Sequence, residues 1–129
     1  MAAKRILFVD NRPEFAHQPV VRLRMEGYDV DEATSADEAF EALREERYDL
    51  LVFDAELPGA DGWDVLKRIR ALPEVPAVKV LVFMAGKGET GKLQLVPVDA
   101  ELRRPFRLEE LVGKVRELLA DRPRSPKRG

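Results

Sequence analysis

The chain has no cysteine, one histidine (His17), one asparagine (Asn11) and one tryptophan (Trp63). The absence of cysteine excludes disulfides and thiolate metal sites, and is neutral between cellular compartments. No apolar stretch approaches the ~20 residues of a membrane span. The opening Met1-Ala2-Ala3-Lys4-Arg5 runs straight into an apolar segment and is too short for a signal peptide. An excess of one charge is also missing. Twenty-two Lys and Arg face 24 Asp and Glu, for a net charge of −2 and a pI of about 5.6, which argues against a nucleic-acid or membrane surface as partner. A cytoplasmic location follows by default. Amides are scarce, with Asn11, Gln18 and Gln94 beside fifteen Arg. That bias resembles thermophile chemistry, although a GC-rich genome raises Arg as well.

What is present describes a domain. At 129 residues and 45% apolar content, the chain can bury roughly two-thirds of its unfolded surface in one core. Short apolar runs alternate with helix-period stripes, the signature of βα units. Strands are expected at Arg5–Val9, Asp29–Ala33, Leu50–Phe53, Val78–Phe83 and, more weakly, Ala100–Arg103. Ser35-Ala36-Asp37-Glu38 reads as a capping box opening a second helix. A third helix runs from about Gly62 to Ala71. The last carries Leu108, Leu111, Val112, Val115, Leu118 and Leu119 at helical spacing. Pro19 falls where the first helix should have its second turn, so ordered helix is expected only from Pro19 to Met25, before Gly27. Between Ala85 and Ala100, three glycines and Pro97 argue against a full fourth helix. Residues 1–120 are read as the domain and the basic, proline-rich residues 121–129 as a disordered tail.

These elements predict an α/β fold: a doubly wound, five-stranded parallel sheet of order 2-1-3-4-5, flavodoxin-like, with a degenerate fourth helix. The first and third apolar runs each finish on an aspartate, Asp10 and Asp54. In that strand order they face each other at one edge, where a divalent cation and an acceptor of a phosphoryl group could sit.

Ile6-Leu7-Phe8-Val9-Asp10-Asn11-Arg12-Pro13-Glu14, then Asp54 with Leu57-Pro58-Gly59-Ala60-Asp61-Gly62, then Arg104-Pro105-Phe106 together resemble the receiver domain of bacterial response regulators. The resemblance spans residues 4 to about 120, with no output domain following. It implies that Asp54 accepts a phosphoryl group from a sensor histidine kinase or phosphotransfer protein and signals to a downstream protein target. It also implies Mg²⁺ held by Asp10, Asn11, Asp54 and the backbone carbonyl of Glu56. Such a domain is not an enzyme beyond its own phosphorylation and dephosphorylation.

Four positions depart from the family pattern. Asn11 replaces the second acid of the metal pair. Met84 stands where a small hydroxyl residue is expected. Arg104 replaces a lysine, to contact the phosphoryl group or pair with Asp54. Glu101 occupies the aromatic switch position. These changes point to an altered switch, with a pseudo-receiver that binds partners independently of phosphate as the alternative. Plainer readings stand beside them. Asn11 suits a helix N-cap, with Glu14 placed to close a capping box. Met84 suits core packing, and Asp61-Gly62 suits a turn into the third helix. The Gly86–Lys92 stretch is no phosphate loop, because Leu93 stands where Ser or Thr is needed. An aspartate-nucleophile phosphatase would want Asp-x-Asp, which Asp10-Asn11-Arg12 lacks.

Overall fold

The apolar runs pair as a parallel sheet in the order β2-β1-β3-β4-β5. The computed structural model describes residues 3–55, 62–73, 75, 78–84 and 98–120. The strands are β1 (Arg5–Val9), β2 (Asp29–Ala33), β3 (Leu50–Asp54), β4 (Lys79–Met84) and β5 (Ala100–Arg103). The helices are α1 (Pro13–Met25), α2 (Ala36–Glu45), α3 (Gly62–Arg70) and α4 (Leu108–Leu119). The expected sheet order and strand positions are therefore observed. The segment expected to replace a fourth regular helix and the 121–129 tail lie outside the described residues, as do Glu56 and Leu57–Asp61.

Side chains alternate across the central strands, so each apolar run feeds two cores. Leu7, Val9, Leu51, Phe53, Val80, Val82 and Met84 pack toward α2 and α3. Ile6, Phe8, Leu50, Val52, Leu81 and Phe83 pack with Ala16, Val20 and Leu23 of α1 and with Leu111, Val112 and Val115 of α4. Met84 is fully buried, as its packing role requires. Val98, at the start of the described stretch before β5, is half-buried against the α2–α3 core.

Two local expectations are corrected. First, α1 begins at Pro13, not at Pro19, and carries Pro19 in its interior. Pro13 sits in the first turn, where a missing N–H is harmless. Ala16 lies on the buried face ahead of Pro19, so core burial outweighs the bond that Pro19 cannot make to the previous turn. Second, Asn11 is not the helix cap. The cap position is Arg12, without a side-chain cap bond, because the helix starts one residue later than an Asn-x-x-Glu box needs. Gly27 closes α1 at φ +101°, a left-handed conformation that glycine adopts freely. The capping box at α2 forms only in half: Ser35 Oγ accepts from Glu38 N–H, while Glu38 Oε1 accepts from Thr34 N–H and Oγ1.

Gly62, the first residue of α3, touches the backbone of Ala55, the residue after Asp54, so closely that a Cβ would overlap the Ala55 carbonyl. Backbone cannot yield as a flexible side chain does. Gly62→Ala is expected to cost about 1–3 kcal/mol in a denaturant titration.

At the far side of β1, Arg5 pairs with Asp31 and Glu46, each at 3.0 Å, and the Tyr48 hydroxyl donates to Asp31 Oδ2 at 2.6 Å. The Tyr48 bond, helped by Arg5, holds the Asp31 carboxyl below its usual range. Burial, reinforced by Asp31, pushes the Tyr48 phenol up. With a folded value below the unfolded one, Asp31 contributes stability that is fully present above its unfolded pKa. That contribution is lost as pH falls through the folded value. Asp31→Asn should lower Tm at pH 7, with the difference vanishing well below about pH 4. Half-exposure keeps the contribution under about 1 kcal/mol.

Candidate functional site: two buried carboxylates and two guanidiniums

The parallel arrangement brings the carboxyl ends of β1, β3, β4 and β5 to one edge. Val9 is in register with Phe53, and Asp54 with Phe83, so Asp10 and Asp54 are placed side by side. Both are buried, Asp54 completely and Asp10 to within 4%. A buried ionised carboxylate is costly unless paired and hydrogen-bonded, and the partners are close.

Arg104 follows β5, and its N–H bonds to the Met84 carbonyl at 3.0 Å. Its Nη2 lies 3.2 Å from Asp54 Oδ2 and 4.0 Å from Asp10 Oδ2. Of the two roles open to Arg104 from sequence, pairing with Asp54 is the one observed. Its guanidinium also lies 5.5 Å from the centre of the Phe83 ring. One cation therefore reaches both acids.

Arg12 supplies a second cation, and sequence reasoning missed it. Its Nη2 donates to Asp54 Oδ2 at 3.3 Å, and its Nε stands 4.0 Å from Asp10 Oδ1. A signal was present in Asp10-x-Arg12. An aspartate side chain readily accepts from the backbone N–H two residues on, and Arg12 N–H donates to Asp10 Oδ1 at 2.9 Å. That turn sets where the Arg12 side chain departs.

The Asp10 carboxyl is raised above its ordinary value chiefly by burial, and the charge on Asp54 adds to the rise. The Arg12 N–H bond and the two guanidiniums oppose it.

Asn11 Oδ1 is buried and has no hydrogen-bond partner among the described residues. Leaving such an acceptor unmade costs about 1–3 kcal/mol, and a ligand would relieve that cost. Asp10, Asn11 and Asp54 thus bring three side chains with oxygen donors to one edge; Glu56, the fourth expected donor, lies outside the described residues. A cleft of about 540 Å³ opens beside the site, lined by Asp10 and Arg104 and by Phe15, Pro19, Phe106 and Leu108 among others. Of the remaining residues singled out from sequence, Trp63 is buried in the α2–α3 core. His17 is exposed on α1. Glu101 is half-buried with a carboxylate oxygen 3.6 Å from Arg103 Nε. Among the described residues no helix is long and apolar enough to cross a membrane.

Known proteins resemble this chain in sequence and fold. Residues 6–116 match the profile of the response regulator receiver domain. The chain is 36% identical over 119 residues to the DNA-binding response regulator MtrA of Mycolicibacterium smegmatis, covering 90% of this chain and 50% of that protein. It thus spans about half the length of the curated relatives it matches. A putative response regulator from Chloroflexus aurantiacus superposes with a TM-score of 0.83 at 30% identity, over 92% of this chain and 99% of that one. The response regulator TrrA from Thermotoga maritima, solved in complex with Mg²⁺-BeF, gives 0.78 at 32% identity, over 90% and 99% of the two chains.

The ion pairs make a thermodynamic prediction. Arg104→Met leaves Asp54 fully buried with one cation fewer, and should destabilise the fold by about 1–3 kcal/mol, less than for an isolated buried pair because Arg12 remains. A double-mutant cycle with Asp54→Asn should return a coupling of about 1–3 kcal/mol between the two positions.

Proposed function

The chain belongs to the response regulator receiver-domain family, and on that premise we propose that Asp54 is its phosphoryl acceptor, working with an altered switch. The observation that carries this reading is the placement of a fully buried Asp54 carboxylate at the end of β3, beside Asp10 and under the guanidiniums of Arg12 and Arg104. In the transfer, a carboxylate oxygen of Asp54 attacks the phosphorus of a phosphohistidine or of a small phosphodonor. The bond from phosphorus to the leaving nitrogen or oxygen breaks, and the donor leaves with its electron pair. The acyl phosphate so formed carries its charge on peripheral oxygens, where the Arg104 guanidinium can donate hydrogen bonds. The partners this implies are a sensor histidine kinase or phosphotransfer protein and a downstream protein target.

The donor set suits a magnesium ion. Asp10, Asp54 and the orphaned Asn11 Oδ1 are all hard oxygen ligands, the kind Mg²⁺ prefers while it keeps several waters. When bound, the ion supplies neutralisation of the charge that develops on the transferring group. The altered switch rests on Met84 and Glu101. Met84 is fully buried in the core and has no hydroxyl to offer the phosphoryl group. Glu101 lies beside Arg103 in the place where the family pattern wants an aromatic ring. Met84 also favours the second reading, a module that binds partners without phosphate.

Incubation with acetyl phosphate and Mg²⁺, followed by intact mass measurement, distinguishes the two. The expected result is a mass increase of one phosphoryl group that hydroxylamine removes and that is absent from Asp54→Asn. If Asp54→Asn labels as the wild type does, the acceptor assignment is wrong. No labelling of the wild type would favour the phosphate-independent module.

A further inference from the structure

We infer that Arg12 is a tethered cation that competes with the divalent metal for Asp10 and Asp54, so that its displacement controls metal occupancy. This rests on the site reading proposed above.

Charge balance is the first argument. Among the described residues, the two buried carboxylates and the two guanidiniums that pair with them sum to zero. A divalent ion added without any departure would leave a net charge of two in a poorly solvated place, which is unfavourable. One guanidinium has to give way.

Geometry selects Arg12. Its contacts with the acids, 3.3 Å to Asp54 and 4.0 Å to Asp10, match those of Arg104 at 3.2 and 4.0 Å, and Arg12 is the more exposed of the two side chains, at 36% against 29%. The pairing is incomplete, because among the described residues Arg12 Nε, Arg104 Nη1 and the neighbouring Asn11 Oδ1 are buried without a hydrogen-bond partner. A bare cation accepting three oxygen donors would satisfy Asn11, as a guanidinium in this position does not. The Arg12 side chain is also about one-third exposed, and its guanidinium lies 4.9 Å from the centre of the Phe15 ring. Phe15 is 59% exposed. That contact is already made while Arg12 is on the acids, and an exposed ring can keep it as the guanidinium withdraws from them.

The test is a calorimetric titration of Mg²⁺ into the full, unphosphorylated chain, with Mn²⁺ paramagnetic resonance as a second readout. Arg12 meets the helix through its backbone carbonyl and has no side-chain cap bond, so Arg12→Gln should fold, and circular dichroism checks that it does. Arg12→Gln is expected to bind Mg²⁺ at least about tenfold more tightly than wild type, about 1.4 kcal/mol. Arg103→Gln removes the same charge from a side chain beside Glu101 rather than on the acids. It should change the affinity by no more than about threefold, because solvent screens a charge that is not in contact. If Arg12→Gln binds no more tightly than Arg103→Gln, competition by Arg12 is overturned. An Arg12→Gln variant with no detectable metal binding overturns it equally. Asp10→Asn in the Arg12→Gln background separates this failure from failure of the site itself. Unchanged metal binding in that double variant would place the ion elsewhere and undo the site assignment. Lost binding there, with no gain from Arg12→Gln alone, would undo only the role of Arg12.

Discussion

The constraint on which this molecule turns is the burial of two carboxylates at adjacent ends of parallel strands. Asp10 and Asp54 are both removed from water, and a buried carboxylate is costly unless it is paired and hydrogen-bonded. Everything near them answers that requirement. The Asx turn offers the Arg12 N–H to Asp10, and the two guanidiniums converge on one oxygen of Asp54. A neutral pair of apolar residues would be easier to bury.

That demand is met by elements far apart in the chain. Arg12 reaches across 42 residues and Arg104 across 50 to the same Asp54 oxygen. The sheet makes this possible because parallel pairing puts every strand's carboxyl end on one side. The apolar strands are buried on both faces and hold that edge still. Gly62 adds a further clamp, since α3 starts hard against the backbone of the residue that follows Asp54. Precision at the site is thus supplied by packed backbone, while the cations that serve it are carried on longer, partly exposed side chains.

The two arginines give the cluster a different character from a site neutralised by metal alone. A guanidinium is planar, always charged and able to fork onto carboxylate or phosphoryl oxygens. It can hold the acids before the ligand arrives and contact the ligand afterwards. Asn11 is what this arrangement leaves unresolved, with a buried oxygen that neither arginine satisfies. The residue expected to cap α1 is instead an acceptor in waiting, because Pro13 moves the helix start past it.

Strand positions, sheet order and the meeting of Asp10 with Asp54 were legible in the residues, because apolar period and strand-end placement are local patterns that survive in any parallel α/β fold. Arg104 was legible as a candidate, with its two possible roles left open. Pro19 misled, since local helix propensity was set against burial of Ala16, Val20 and Leu23, and burial prevailed. Asn11 misled for a similar reason: a one-residue shift in helix start is invisible to a cap motif. For Arg12 the local turn Asp10-x-Arg12 sets where the side chain departs but not which acid it reaches. A long flexible side chain finds its partner by where the tertiary fold places an uncompensated charge. The sequence by itself therefore determined which acids meet; the tertiary structure alone decided which cations come to them, because that choice rests on distances between segments that no local pattern records.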